Sequence, residues 1–187
     1  MENNNNGNLN EKEVNLAFVD VEASGLSLRD GELLEIGLVL VSQPNFWVIE
    51  EWDIKIQPQH LETAEEEGLL ISGYNEKDWE NAVELKTALE QFLEKVQGAM
   101  IVGHNVSWDL MWLRKAIEEN GFGKKFARRS LDTNSIAYTK LQDKASEIKY
   151  FSLSNLAKYF GIEENNKHRA LADAKTTFEV FKKLMEL

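Results

Sequence analysis

Leu16-Ala17-Phe18-Val19-Asp20-Val21-Glu22 sets apolar residues on both sides of a period-two pattern. Leu16, Phe18, Asp20 and Glu22 form one row of a strand, and Ala17, Val19 and Val21 form the other. A strand buried on both faces belongs inside a sheet that helices cover. Ala23-Ser24-Gly25-Leu26 ends the strand as a turn.

Working outward, Glu35–Ser42 and Phe46–Ile56 are two further β-rich runs. The polar break Gln43-Pro44-Asn45 between them predicts an antiparallel hairpin. From about Glu62 the chain turns helical, with an interruption at Gly73-Tyr74-Asn75 and an amphipathic stretch over Ala82–Val96. Ala99–Val102 reads as a short strand feeding a helix over Asn105–Glu119. A strand near Ser130–Leu131 leads into Asp132-Thr133-Asn134-Ser135, a helix-start cluster. Helices over Ser152–Phe160 and Arg169–Met185 close the chain. Three strands in a meander, then strands alternating with helices, predict an α/β fold: one mixed sheet with helices on both faces. Trp47 and Trp52 are expected to pack within their strand.

The 187 residues fit one globular domain over 13–187 preceded by an Asn-rich tail, 1–12, expected to be frayed. Of the chain, 43% is hydrophobic, enough to bury a sizeable core. Acidic residues number 32 against 21 basic, a formal net charge of -11, which excludes a nucleic-acid binder with a broad basic face. Bound cations or a small basic patch can still reverse the field locally. The dense basic run Lys124-Lys125-Phe126-Ala127-Arg128-Arg129 is such a patch, a candidate for a backbone phosphate and otherwise a solvated helix end or loop. The absence of cysteine excludes disulfides, thiolate zinc sites and Cys nucleophiles. No apolar run approaches the roughly 18 residues that span a membrane, and Met1-Glu2-Asn3-Asn4 does not begin a signal peptide. A cytoplasmic protein without membrane contact is the expectation. Because the chain ends just after its last helix, a freestanding protein or a small subunit acting in trans is expected rather than part of a large fused one.

The acids stand in unusual places. Asp20 and Glu22 take over an apolar row at the end of the first strand, and two carboxylates about 4 Å apart repel by roughly 4 kcal/mol at an effective dielectric of 20. A divalent cation turns that cost into a binding site, although the D-x-E triplet alone also suits a strand that has reached solvent. Asp109 follows Gly103-His104-Asn105 and shares a helix face with Trp112, Leu113 and Ala116, where an unpartnered acid is costly. Asp173 heads the apolar stripe of Thr177, Phe178, Phe181 and Leu184, with His168 just before that helix. Each acid sits at the junction of a strand or loop with the next element, where open α/β sheets bind ligands. Four carboxylates and a histidine are the inventory for a pair of hard cations, two Mg²⁺ or Mn²⁺, plus a base for the attacking water of a phosphoryl displacement.

Phe18-Val-Asp20-Val-Glu22-Ala-Ser-Gly25-Leu26, His104-Asn105-Val-Ser-Trp108-Asp109 and His168-Arg169-Ala-Leu-Ala172-Asp173 resemble, in order and spacing, the three motifs of the DEDDh 3′–5′ exonucleases. This group contains the proofreading epsilon subunit of bacterial DNA polymerase III and ribonuclease T. The similarity runs over about 14–186 and includes the weaker Glu35-Ile36-Gly37 and Leu131-Asp132-Thr133. His168 stands five positions before Asp173, the spacing of the histidine group, and position 169 lacks the tyrosine of the sister group.

The resemblance implies a ribonuclease H-like fold and release of nucleoside 5′-monophosphates from a DNA or RNA 3′ end. It implies that Asp20, Glu22 and Asp173 hold one metal ion, that Asp20 and Asp109 help hold a second, and that His168 is the base. It further assigns Ser24, Gly25, Leu26, His104 and Asn105 to the terminal nucleotide, and a homodimer or a polymerase or repair partner as assembly. Ala23 and Ser24 replace the family's usual pair of threonines, so recognition of the 3′ end differs in detail; Trp108 stands where phenylalanine is common. Two other readings remain beside it: a hydrolase of very short oligonucleotides, which suits the net charge of -11, and a non-catalytic nucleic-acid- or protein-binding module of the same fold.

Overall fold

The structure, a computed structural model, describes residues 14–123, 126, 129–144, 146–164 and 168–187. The expected tail 1–12 lies outside them, as do Lys124, Lys125, Ala127 and Arg128 of the basic run. Strands β1 (Leu16–Ala23), β2 (Leu33–Val41) and β3 (Val48–Lys55) form the expected antiparallel meander. Strands β4 (Met100–Gly103) and β5 (Ser130–Asp132) add in parallel beyond β1, giving the order β3-β2-β1-β4-β5. The mixed sheet is therefore the one the sequence predicts.

One face of β1 presents Ala17, Val19 and Val21 to helices α2 (Leu85–Lys95) and α3 (Ser107–Glu119), where Leu89, Phe92, Leu113 and Ile117 complete a core. The other presents Leu16 and Phe18 to α6 (Ala170–Met185), with the Phe18 ring 5.0 Å from Phe178 and 5.3 Å from Phe181. Full burial of each such ring stabilises by about 1.5–3 kcal/mol. Helices α4 (Thr133–Lys140) and α5 (Leu153–Phe160) pack on the far side of α6 through Ala137, Leu156 and Val180. Burial on both sheet faces thus follows from the two-sided apolar pattern of β1 and of β2, all nine residues of which are buried.

Asp20 and Glu22 continue the Leu16–Phe18 row, so both project toward the side that α6 covers. The first turn of α6 reaches that end of the sheet because Gly37, the register partner of Asp20, has no side chain: a Cβ there would lie 2.1 Å from the Ala170 carbonyl carbon. A glycine inside a strand marks such a close approach.

Trp52 packs as expected, with Lys95 Nζ 5.4 Å from its ring. Trp47 does not. It precedes β3, accepts Ser42 N–H through its carbonyl at 2.9 Å, and leaves its side chain 71% exposed. The β2–β3 register shifts at Leu40/Val41, so residues ahead of Val48 leave the ladder. No helix among the described residues is long and apolar enough to cross a membrane.

Candidate active site

The sheet brings the predicted acids to one end of β1. Glu22, His168 and Asp173 each place a potential ligand atom within 4.8 Å of the others'. Asp173 lies in the first turn of α6 and accepts the backbone N–H of His168 through Oδ2 at 3.2 Å. That bond fixes the loop to the helix it precedes. His168 takes a left-handed backbone (φ 60°) and exposes its side chain to solvent. A non-glycine residue in that region is uncommon and is often found at functional sites. Asp109 approaches from α3 on the opposite face; its Oδ1 accepts Val21 N–H at 3.0 Å, and the residue is only 3% exposed.

Burial and mutual repulsion act together on these groups. Burial first, then Asp173, Glu35 and Asp109, push the Glu22 carboxyl up to about 8, against the opposing pull of Arg169. Burial pushes Asp109 to about 7, partly offset by the Val21 N–H. Asp20 is driven well above the usual carboxylate range by burial and then by Asp109, Asp173, Glu22 and Glu35. Carboxyls that resist ionisation near neutral pH for this reason are those a multivalent cation would ionise. The donor set is carboxylate oxygen with one imidazole and no sulfur, which fits Mg²⁺ or Mn²⁺.

Glu35 is a further acid in this cluster. It stands opposite Glu22 across the β1–β2 register, is 1% exposed, and pairs with Arg169 Nε at 3.0 Å. In the sequence it reads only as part of a strand motif. The signal was a lone acid in the apolar run Leu33-Leu34-Glu35-Ile36-Gly37-Leu38.

The turn after β1 is clamped by α1 (Glu66–Ile71) and the residue before it. Glu65 donates its N–H to Ser24 O at 2.8 Å and accepts Leu26 N–H on Oε1 at 2.9 Å. Ser24 is buried and accepts the Glu32 N–H on Oγ at 2.9 Å, so its hydroxyl supports the turn. Gly68 packs so close that a Cβ would lie 2.6 Å from Ser24 backbone atoms. Beside Glu22 the turn borders a cleft of about 260 Å³, lined by Gly25, Leu26, Ile71 and Trp108 among others, with Leu26 75% and Ile71 46% exposed.

His104 and Asn105 sit at the start of the loop into α3. Thr133 Oγ1 donates to Gly103 O at 3.1 Å and lies 2.9 Å from His104 Nδ1. Burial lowers the pKa of that imidazole. Asn105, exposed and left-handed (φ 60°), donates its N–H to Asp132 Oδ1 at 2.8 Å. Asp132 also caps α4 by accepting Asn134 N–H.

A family model described as RNase_T: Exonuclease matches residues 17–181. The DNA polymerase III subunit epsilon of Aquifex aeolicus is 29% identical over 168 residues, covering 90% of this chain and 79% of that protein. A PolC-type DNA polymerase III of Caldanaerobacter subterraneus subsp. tengcongensis is also 29% identical, over 89% of this chain but only 11% of its own length. The chain therefore spans about a ninth of that polymerase. Among solved structures, Escherichia coli Exonuclease I in complex with a dT13 oligonucleotide has a TM-score of 0.76 at 19% identity, covering 92% of this chain and 41% of that one. The nuclease domain of 3′hExo, a DEDDh family member bound to rAMP, has a TM-score of 0.77 at 12% identity, covering 93% and 92%. The fold these share is the ribonuclease H-like one expected from the sequence. With the family model spanning residues 17–181, this protein belongs to the RNase_T exonuclease family.

Proposed function

We propose that this chain is a metal-dependent 3′–5′ exonuclease that releases nucleoside 5′-monophosphates, with Asp20, Glu22, Asp109 and Asp173 as metal ligands and His168 as general base. The observation that carries this reading is the convergence of Glu22, Asp173 and an exposed His168 beside Asp20. Two Mg²⁺ or Mn²⁺ ions, when bound, supply positive charge to the attacking and leaving oxygens. His168 accepts the proton of the attacking water at its imidazole. Attack at phosphorus breaks the bond to the 3′ oxygen, which takes up a proton from solvent and becomes the new 3′ end. Asp173 keeps the His168 backbone in place through the N–H bond. The cleft beside Glu22 accepts the terminal nucleotide, with Leu26 and Ile71 against its base. His104 and Asn105 support the loop that brings Asp109 to the site.

Likeness to DNA polymerase III chains supports a DNA 3′ end as the substrate to test first, and a role in proofreading or repair beside a polymerase partner. The net charge of -11 favours a second reading, in which only very short oligonucleotides are cleaved.

The test is a gel time course with 5′-labelled single-stranded DNA and RNA, with Mg²⁺, with Mn²⁺ and with EDTA, beside Asp20→Ala. A descending ladder that needs metal and disappears in the variant is the expected result. Cleavage confined to oligomers of a few nucleotides selects the second reading, and intact substrates in every lane overturn both.

A further inference from the structure

The chemistry above leaves Glu35 without a role, although it is buried within the acidic cluster. Like charges directly opposite on neighbouring strands repel, and Glu35 stands directly opposite Glu22. Five ionised carboxylates (Asp20, Glu22, Glu35, Asp109 and Asp173) against two divalent cations leave one negative charge over. Arg169 supplies the matching positive one.

The guanidinium is built into that position. Nε lies 3.0 Å from Glu35 Oε2, Nη1 lies 4.0 Å from Asp78 Oδ2, and the group sits 5.5 Å from the ring of Trp79. Trp79 is itself buried and donates Nε1–H to Leu34 O at 3.2 Å. Lys55, the register partner of Glu35, sends its Nζ to the Asp78 carbonyl at 3.0 Å. Arg169 is thus tied to β2 and to the 78–79 segment from the residue immediately after His168.

We propose that Arg169 is a positioning residue that acts through Glu35, holding this fifth carboxylate out of the cation-binding set so that Glu22 and its neighbours meet the ions in a single arrangement. This inference rests on the functional reading above. Releasing Glu35 would add a carboxylate within reach of the ions, so it strengthens cation binding while spoiling the geometry for turnover. Simple loss of structure would weaken both.

The experiment measures Mn²⁺ binding by isothermal titration, and Mn²⁺-supported cleavage of a labelled oligonucleotide, for the whole chain and for Arg169→Gln, Arg169→Lys, and Arg169→Gln combined with Glu35→Gln. We expect Arg169→Gln to bind Mn²⁺ at least about threefold more tightly, while kcat falls about tenfold and KM stays within about threefold. The double variant, which carries no stranded charge, returns both quantities to within about threefold of the parent chain. Arg169→Lys, which keeps the charge, holds the parent Mn²⁺ affinity. Weaker Mn²⁺ binding in Arg169→Gln, with no recovery in the double variant, overturns the inference and leaves Arg169 a structural support. A loss carried by KM and not rescued overturns it in favour of contact with a substrate phosphate. Either pattern in a parent chain that binds Mn²⁺ and cleaves defeats this inference alone. A parent chain that does neither defeats the functional reading with it.

Discussion

Asp109 Oδ1 accepts a hydrogen bond from the backbone N–H of Val21 at 3.0 Å, and Val21 is the residue between Asp20 and Glu22. A single carboxylate therefore joins α3, on one face of the sheet, to the strand that presents two acids on the other. The same group is buried and shifted to about 7. Its hydrogen-bonding role and its charge separate experimentally.

Asp109→Asn keeps an oxygen that can accept the Val21 N–H but removes the charge. We expect kcat to fall at least about a hundredfold while the metal-free melting temperature drops by no more than about 2 °C. Asp109→Ala removes both and leaves a buried N–H unpaired, a cost of about 2 kcal/mol, or roughly 4–8 °C. Thermal melts beside steady-state kinetics check the contrast.

The raised carboxyls predict an unusual pH dependence of metal-free stability. Glu22 rises from an ordinary value of 4.5 to about 8, and Asp109 from 3.8 to about 7, in the folded state. The folded chain holds these protons more tightly than the unfolded one, so their contribution is complete below the ordinary values. It is lost as pH rises through about 7 and 8. Without metal, the melting temperature should fall between pH 6 and pH 9, and saturating Mg²⁺ should raise it by about 5 °C more at the upper end. Differential scanning calorimetry at both pH values, with Mg²⁺ and with EDTA, measures this. Glu22→Gln should flatten part of the slope.

Gly37→Ala tests the contact that brings α6 to β1. The new methyl would lie 2.1–2.4 Å from Ala170 and Leu171 backbone atoms, which cannot swing aside as a side chain would. The helix must shift, at a cost of about 1–3 kcal/mol, or roughly 2–12 °C in melting temperature. Because Asp173 moves with it, activity should fall by more than the fraction of chain unfolded at the assay temperature, which a melt and an activity assay on the same sample establish.

Glu65→Ala tests the clamp on the turn. The carboxylate is exposed, so its loss should change the melting temperature by less than about 3 °C. The turn that borders the cleft loses the Leu26 N–H bond to the carboxylate and keeps only the backbone bond from residue 65 to Ser24 O, and we expect KM to rise about fivefold with kcat within about twofold. A change in kcat alone would place the clamp's effect on the chemical step.

What the sequence made legible, and what it did not, follows from the range of the interactions involved. The period-two run at Leu16–Glu22 and the apolar faces of α3 and α6 are local patterns, and they led to the mixed sheet and to acids at one end of β1. Pairing between strands is not local. That Glu35 opposes Glu22, and that Gly37 opposes Asp20, depends on a register no single strand records. Arg169 reached Glu35 across 134 positions of sequence, which no spacing reveals. Trp47 failed for a similar reason: the hairpin's irregular register ends the ladder one residue after it, and the indole falls outside. Glu65 gave no signal because an acid in an acidic run looks solvated, and only the folded turn shows it bound to Leu26 N–H.

The most direct test of the central claim is the identity of the first product released from a 3′-labelled single-stranded oligonucleotide in Mn²⁺, for the parent chain and for His168→Ala. The account predicts labelled nucleoside 5′-monophosphate as the earliest species, with its rate about a hundredfold or more lower in His168→Ala and its release abolished by EDTA. Labelled fragments longer than one nucleotide as the earliest product, or an equal rate in His168→Ala, would contradict it.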